Sequence, residues 1–185
     1  MIIFPGGIMS LRKVLFLVAM LFVFLGYLSP QEVLAAKERK PISKSSDQRF
    51  SDFGDGTILD SKTALMWMKK DYWLLEGRHL NWYKAKEFLQ KVNHKKYFGY
   101  SDWRLPTPEE ALTLYERRKR NRDKDGDYFF IDRIFPKGSG WSTWTSKEKG
   151  QQAIVISYKD QGGKEFQDKI SGPDAFLRLV RDSKK

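Results

Sequence analysis

Apolar residues are distributed along this chain in three patterns. Residues 14–28, VLFLVAMLFVFLGYL, are apolar without a break and follow Arg12 and Lys13. From Phe50 to Met68, short apolar segments are separated by the turn-forming stretches DFGDGT and DSKT, which predicts strands near Phe50, over Thr57 to Leu59, and at ALMWM. Asp-Gly between extended runs favours a hairpin because the turn needs positive φ. The third pattern has helical spacing: Asn81 is placed as N-cap, Trp82, Ala85, Phe88, Leu89 and Val92 share one face, and Lys84, Lys86, Glu87, Gln90 and Lys91 share the other. That helix should end near Asn93, before the turn at Gly99.

A second helix is announced by Thr107 as cap, Pro108 at the first helical position and Glu110 placed to close a capping box. It is predicted to reach about Arg120, burying Ala111, Leu112, Leu114 and Tyr115 and setting its arginine-rich end against the negative pole of the helix dipole. A loop over 121–140 follows. Then come the strand WSTWTS, the β-prone QAIVISY, a turn at Gly162 and Gly163, and a closing strand AFLRLVR. Two helices between terminal sets of hairpins that must pair with each other predict an α+β domain, two helices packed on antiparallel sheet.

The apolar run at 14–28, followed by SPQEVLAA with Val33 and Ala35 at small-residue positions, reads as a secretory signal over residues 1–35. The alternative is a retained N-terminal membrane anchor, although the run is shorter than the roughly 20 residues that span a bilayer. Pro-Gly-Gly ahead of the positive charges is unusual in a signal, so Met9 is a candidate start. Residues 36–49 are charged, polar and aperiodic and read as a linker, leaving 50–182 as the domain.

Composition adds a sign to this picture. The 185 residues carry a formal charge of +11. Residues 1–35 contain Arg12, Lys13 and Glu32, so their removal leaves +10, one less than +11. A basic exported protein meets polyanions such as lipopolysaccharide, extracellular DNA or acidic polysaccharide, with an attraction that salt weakens. The absence of cysteine excludes a disulfide staple and a lipid-attachment site, so packing alone must hold the domain.

FSDFGDGTILDSKTALMWM, GYSDWRLPTPEE, FP, WSTWTS and LRLVR occur in that order between Arg49 and Arg181. As an ordered set they resemble the bacterial domain of unknown function named after the C-terminal domain of the Lcl collagen-like adhesin. The resemblance implies a C-type-lectin-like fold related to that of the formylglycine-generating sulfatase-modifying enzymes. It also implies a surface or periplasmic location and, for the adhesin, binding of glycosaminoglycan-type polyanions. It gives the motif residues Asp55, Gly56, Trp67, Asp102, Trp103, Arg104, Pro106, Arg178 and Arg181 a structural part. Ala64 departs from the pattern, where the family usually has Gly. Within GYSDWRLPTPEE, Trp103 and Leu105 alternate with Asp102 and Arg104, so one pair should bury while the other pairs at the edge.

Three constellations could carry chemistry. RRKRNR at 117–122 concentrates Arg117, Arg118, Lys119, Arg120 and Arg122, a candidate polyanion site or a solvated helix end. NRDKDGDYFFID at 121–132 sets Asn121, Asp123, Asp125, Asp127 and Asp132 around Gly126 in a spacing close to a calcium loop. Against calcium stand Asn at the first position, Asp in place of Glu at the last, and no sign of a following helix. Trp141 and Trp144 lie on opposite faces of WSTWTS, so one is expected to bury and the other is a candidate for stacking on a sugar ring.

No catalytic residue is assigned. His79 and His94 lack zinc-ligand spacing, no nucleophile elbow or phosphate loop occurs, and Asp102, Glu109 and Glu110 would serve a glycosidase only if they converged in a cleft. The expectation is therefore a non-enzymatic exported binding module, periplasmic or extracellular, for an acidic polysaccharide or similar envelope polymer, with no specific nucleic-acid partner and calcium the one candidate cofactor. The alternatives are a structural or protein-interaction domain of the envelope and a divergent hydrolase.

Overall fold

The computed structural model describes residues 40–172 and 175–184. The leader at 1–35 and the Met9 start lie outside the described residues. The domain is α+β with antiparallel sheets, as the pattern predicts. Its largest sheet has five strands, β1 (Ser43–Lys44), β2 (Phe50–Asp52), β3 (Thr57–Asp60), β4 (Leu65–Met68) and β10 (Val180–Asp182), in the order β1-β2-β3-β4-β10. The last strand thus pairs with the fourth, with Val180 opposite Trp67 and Arg181 opposite Met66. A three-stranded sheet, β7 (Ser142–Lys149), β8 (Gln152–Ser157) and β9 (Gly163–Asp168), and a small hairpin, β5 (Asn121–Arg122) with β6 (Tyr128–Phe129), complete the strands.

β4 and β8 read as continuous apolar runs because both of their faces are covered. Leu65 and Trp67 of β4 join Ile154 and Ile156 of β8 in one core with Phe50, Ile58 and Phe135. Met66 and Met68 join Ala153 and Val155 in a second core with Trp82, Phe88, Trp103 and Trp144. Successive side chains on a strand point to opposite faces, so each strand serves both cores in turn.

Two helices cover the second core and a third packs on the first. α1 (Tyr72–Glu76) is too short to carry a periodic signal and was not predicted; Asp71 caps it, its carboxylate accepting from the Leu74 N–H at 3.0 Å and the Gly140 N–H at 2.6 Å. Burial pushes the Asp71 carboxyl above its ordinary pKa. α2 (Trp82–His94) has Asn81 as N-cap and buries Trp82, Ala85, Phe88 and Val92, as expected, with Leu89 only partly covered. α3 (Pro108–Leu112) carries the full capping box between Thr107 and Glu110.

The motif residues hold these pieces together. Trp103 and Leu105 are buried, and the Asn93 side-chain amide brackets the Trp103 backbone, accepting from its N–H and donating to its carbonyl, both at 2.8 Å. Arg104 donates to both Glu110 oxygens at 2.7 and 2.8 Å and to Asp182 at 2.9 Å. The buried Pro106 offers its carbonyl to the Ser146 N–H. Asp55 accepts from the Thr57 N–H and hydroxyl, and Gly56 has φ 92° with the Phe98 ring so close that a Cβ would lie 2.3 Å from it. Trp67 is fully buried. The buried Arg178 guanidinium donates to the carbonyls of Met68 and Lys69, and burial lowers its pKa.

The structure corrects three expectations. The stretch 36–49, read as a linker, contributes strand β1 from its described part, and Ser45 is buried. The closing strand is confined to Val180–Asp182, since 175–179 runs as an irregular buried segment with Arg178 N–H bonded to the Thr143 hydroxyl. The helix predicted to reach Arg120 stops at Leu112, whose side chain is exposed and not buried as expected. In a longer helix the Thr113 carbonyl would accept from Arg117; instead it accepts from the Arg49 guanidinium at 2.9 Å, and the Glu116 N–H turns to the Phe130 carbonyl.

Candidate functional site

Because α3 ends early, the basic run at 117–122 is a turn leading into β5, wrapped around Lys119. The Lys119 ammonium donates to Asp47 at 2.8 Å and Asp132 at 2.5 Å. Burial opposes its charge, but the two carboxylates outweigh that and raise its pKa. Lys119 in turn, with help from the Ser45 hydroxyl, holds the Asp47 carboxyl far below its ordinary range. The second Asp132 oxygen accepts from the Ile134 N–H at 2.8 Å. Lys119 is therefore an internal clamp between the β1–β2 turn and the 132–134 turn, with its charge consumed.

Around this clamp lie two shallow depressions. The first, of about 640 Å³, is lined by 43–46, 118–120 and 132–134; the second, of about 400 Å³, by Arg120, Asn121, Arg122, Tyr128, Arg133 and Lys137. The exposed cations on this face are Lys44, Arg118, Arg120, Arg122, Arg133 and Lys137. Arg133 donates its Nε–H to the Arg120 carbonyl at 2.8 Å, which fixes its guanidinium where the two depressions meet. Tyr128 is 48% exposed and lies beneath Arg122, whose guanidinium carbon is 3.7 Å from the ring centroid, with Arg120 at 5.7 Å.

Of the five residues in the sequence cluster, Arg118, Arg120 and Arg122 line the depressions with free charge. Lys119 lines the first with its charge neutralised, and Arg117 is exposed but lines neither. Lys44, Tyr128, Arg133 and Lys137 were not singled out. Lys44 fell inside the supposed linker. The other three stand 6 to 15 positions beyond Arg122 and reach it only through the β5–β6 hairpin and the following turn.

The two tryptophan candidates also resolve. Trp144 is 0% exposed, with its indole N–H donating to the Leu80 carbonyl at 3.1 Å, so it cannot meet a sugar. Trp141 is partly covered, edge-on to the Phe176 ring at 6.0 Å with the Lys159 ammonium 5.1 Å from its ring, and lies outside both depressions.

The calcium-like loop is the turn of the β5–β6 hairpin, and ammonium groups serve its acids. Asp123, whose side chain is 0% exposed, accepts the N–H groups of Asp125 and Asp127 and pairs with Lys159 at 2.8 Å. Lys159 also reaches Asp127 at 3.3 Å, Lys124 pairs with Asp125, and Lys119 holds Asp132. Asn121 donates its amide to the Asp132 and Phe135 carbonyls, and its oxygen accepts from the Arg122 N–H. Among the described residues no three His, Asp or Glu side chains are grouped to hold a metal ion.

The acids weighed for hydrolysis are likewise engaged, Asp102 with Arg181, Glu109 with Lys164 and Glu110 with Arg104. Among the described residues no helix is long and apolar enough to cross a membrane. No curated protein matches the chain. The family described as Lcl C-terminal domain matches residues 56–181, which contain the capping box, the Trp103 and Arg104 junction, the basic turn and all but the last residue of the returning strand. With most of the chain so matched, this protein belongs to the Lcl C-terminal domain family.

Proposed function

We propose that this protein is an exported, non-enzymatic binding module of C-type-lectin-like fold whose basic face takes an acidic polysaccharide or a comparable envelope polyanion. The observation that carries this reading is the pair of adjoining depressions rimmed by Arg118, Arg120, Arg122 and Arg133, in which the one lining acid, Asp132, is tied to Lys119 and outnumbered by exposed guanidinium groups. Guanidinium groups are weakly hydrated and present paired N–H donors that match carboxylate, sulfate and phosphate oxygens. The leader-like run at 14–28 supports a location outside the cytoplasm, in the periplasm or beyond.

On this reading calcium takes no part, since lysines already serve the loop acids. Polymer binding rests on many shallow ionic contacts and weakens steeply with salt. Retention on a heparin resin across a sodium chloride gradient tests it. The chain should elute late, and Arg118→Glu, Arg120→Glu and Arg122→Glu together should bring elution close to the void. Unchanged retention of that triple variant sinks the proposal.

A further inference from the structure

The two depressions share Arg120 and Arg133, and that sharing bears on the length of what they bind. Arg133 spends its Nε–H on the Arg120 carbonyl and makes no other hydrogen bond or ion pair among the described residues, so its terminal nitrogens are available at the junction. Arg118 of the first depression and Lys137 of the second are also without a partner among the described residues. Lys119 is shared between Asp132 and Asp47, which leaves one net negative charge beside the first depression against the exposed Lys44, Arg118, Arg120 and Arg133 that line it.

We infer, building on the polyanion reading, that the depressions are one continuous track for a linear polyanion long enough to fill both at once, with Arg133 as the positioning residue that joins them. A small anion in either depression meets only a few screened cations. A chain that has engaged one depression presents its next anionic groups to the other at high effective concentration, and such linkage multiplies affinity by roughly 10²- to 10⁴-fold when the geometry fits. Arg133 sits where a chain crosses between the two. Its tie to Arg120 spares it part of the side-chain ordering cost on binding.

Inorganic polyphosphate is a suitable probe, because it is a linear anion without rings. Isothermal titration of the purified chain at low ionic strength compares tripolyphosphate with a chain of about fifteen phosphates; a continuous track predicts one long chain per protein, bound more than about tenfold tighter per phosphate. Arg133→Gln takes one cation from each depression and so weakens tripolyphosphate too, but it should weaken the long chain more and cut the length advantage to below about threefold, because the joint is lost as well. Equal affinity per phosphate, two long chains per protein, or an undiminished length advantage in Arg133→Gln each overturns the single track and leaves the polyanion reading standing. If neither probe binds, the polyanion reading itself falls, and the track with it.

Discussion

Arg181 donates from Nε and Nη2 to the two carboxylate oxygens of Asp102 at 2.7 and 3.0 Å, tying the final strand to the extended segment that precedes α3. The arginine side chain is 2% exposed and the aspartate 38%, so the guanidinium depends on its partner more than the carboxylate does. Asp102→Ala leaves a buried cation without its carboxylate and should cost about 2–4 kcal/mol by urea denaturation. Arg181→Met, which removes that charge and keeps much of the volume, should cost less than Asp102→Ala. The reverse order would show that the pair matters for shape and not for charge.

Ala64 has φ 56°, the left-handed conformation that a Cβ disfavours. Ala64→Gly should therefore raise stability by about 0.5–1 kcal/mol, the relief of strain exceeding the added freedom of the unfolded chain. A lower midpoint for the glycine variant in thermal unfolding would contradict this.

Glu110 links stability to pH. Burial works against its ionisation, but the Arg104 fork and the Thr107 N–H outweigh burial and hold the carboxyl below its ordinary value of 4.5. A lowered folded pKa gives stability that is present above that ordinary value and lost as pH falls through the folded one. Glu110→Gln should thus cost about 1–2 kcal/mol at pH 7, and the gap from wild type should close as pH falls from 4.5 through the lowered folded pKa. A gap independent of pH would show that only the cap geometry matters.

Lys159 is the counter-charge of the buried Asp123 in the 121–132 loop. Millimolar calcium should leave the wild-type melting temperature unchanged. Lys159→Met should destabilise by about 3 kcal/mol, since the buried Asp123 carboxylate loses its counter-charge. A calcium-induced rise in wild-type melting temperature would show that the ion displaces the ammonium.

Arg117 and Arg118 are sequence neighbours with different surroundings, for only Arg118 lines a depression. On heparin resin, Arg118→Glu should lower the eluting salt clearly more than Arg117→Glu. Equal shifts would mean that overall charge, and not this face, governs retention.

Much of the fold was legible because its signals are local. The Asn81 and Thr107 caps are satisfied by backbone groups three residues on, and the hairpins from Phe50 to Met68 are set by turn residues between short apolar runs. α1 and β9 were not: one is five residues long, and the other, GKEFQD, is mostly exposed and polar. The face of WSTWTS that buries could not be read from alternation, since period two separates the two tryptophans without saying which meets the core.

The amino-acid sequence alone determined the class of fold, the starts of α2 and α3, the positive charge and the neighbourhood of the basic turn, all of which depend on residues a few positions apart. Only the tertiary structure decided where α3 stops, that Trp144 is core, and which cations remain free. Those outcomes hang on partners far along the chain: Arg49 reaches Thr113 across 64 positions, and Lys119 reaches Asp47 across 72. A charge is spent or spared according to what folding brings within about 3 Å of it, and a linear pattern does not encode that distance.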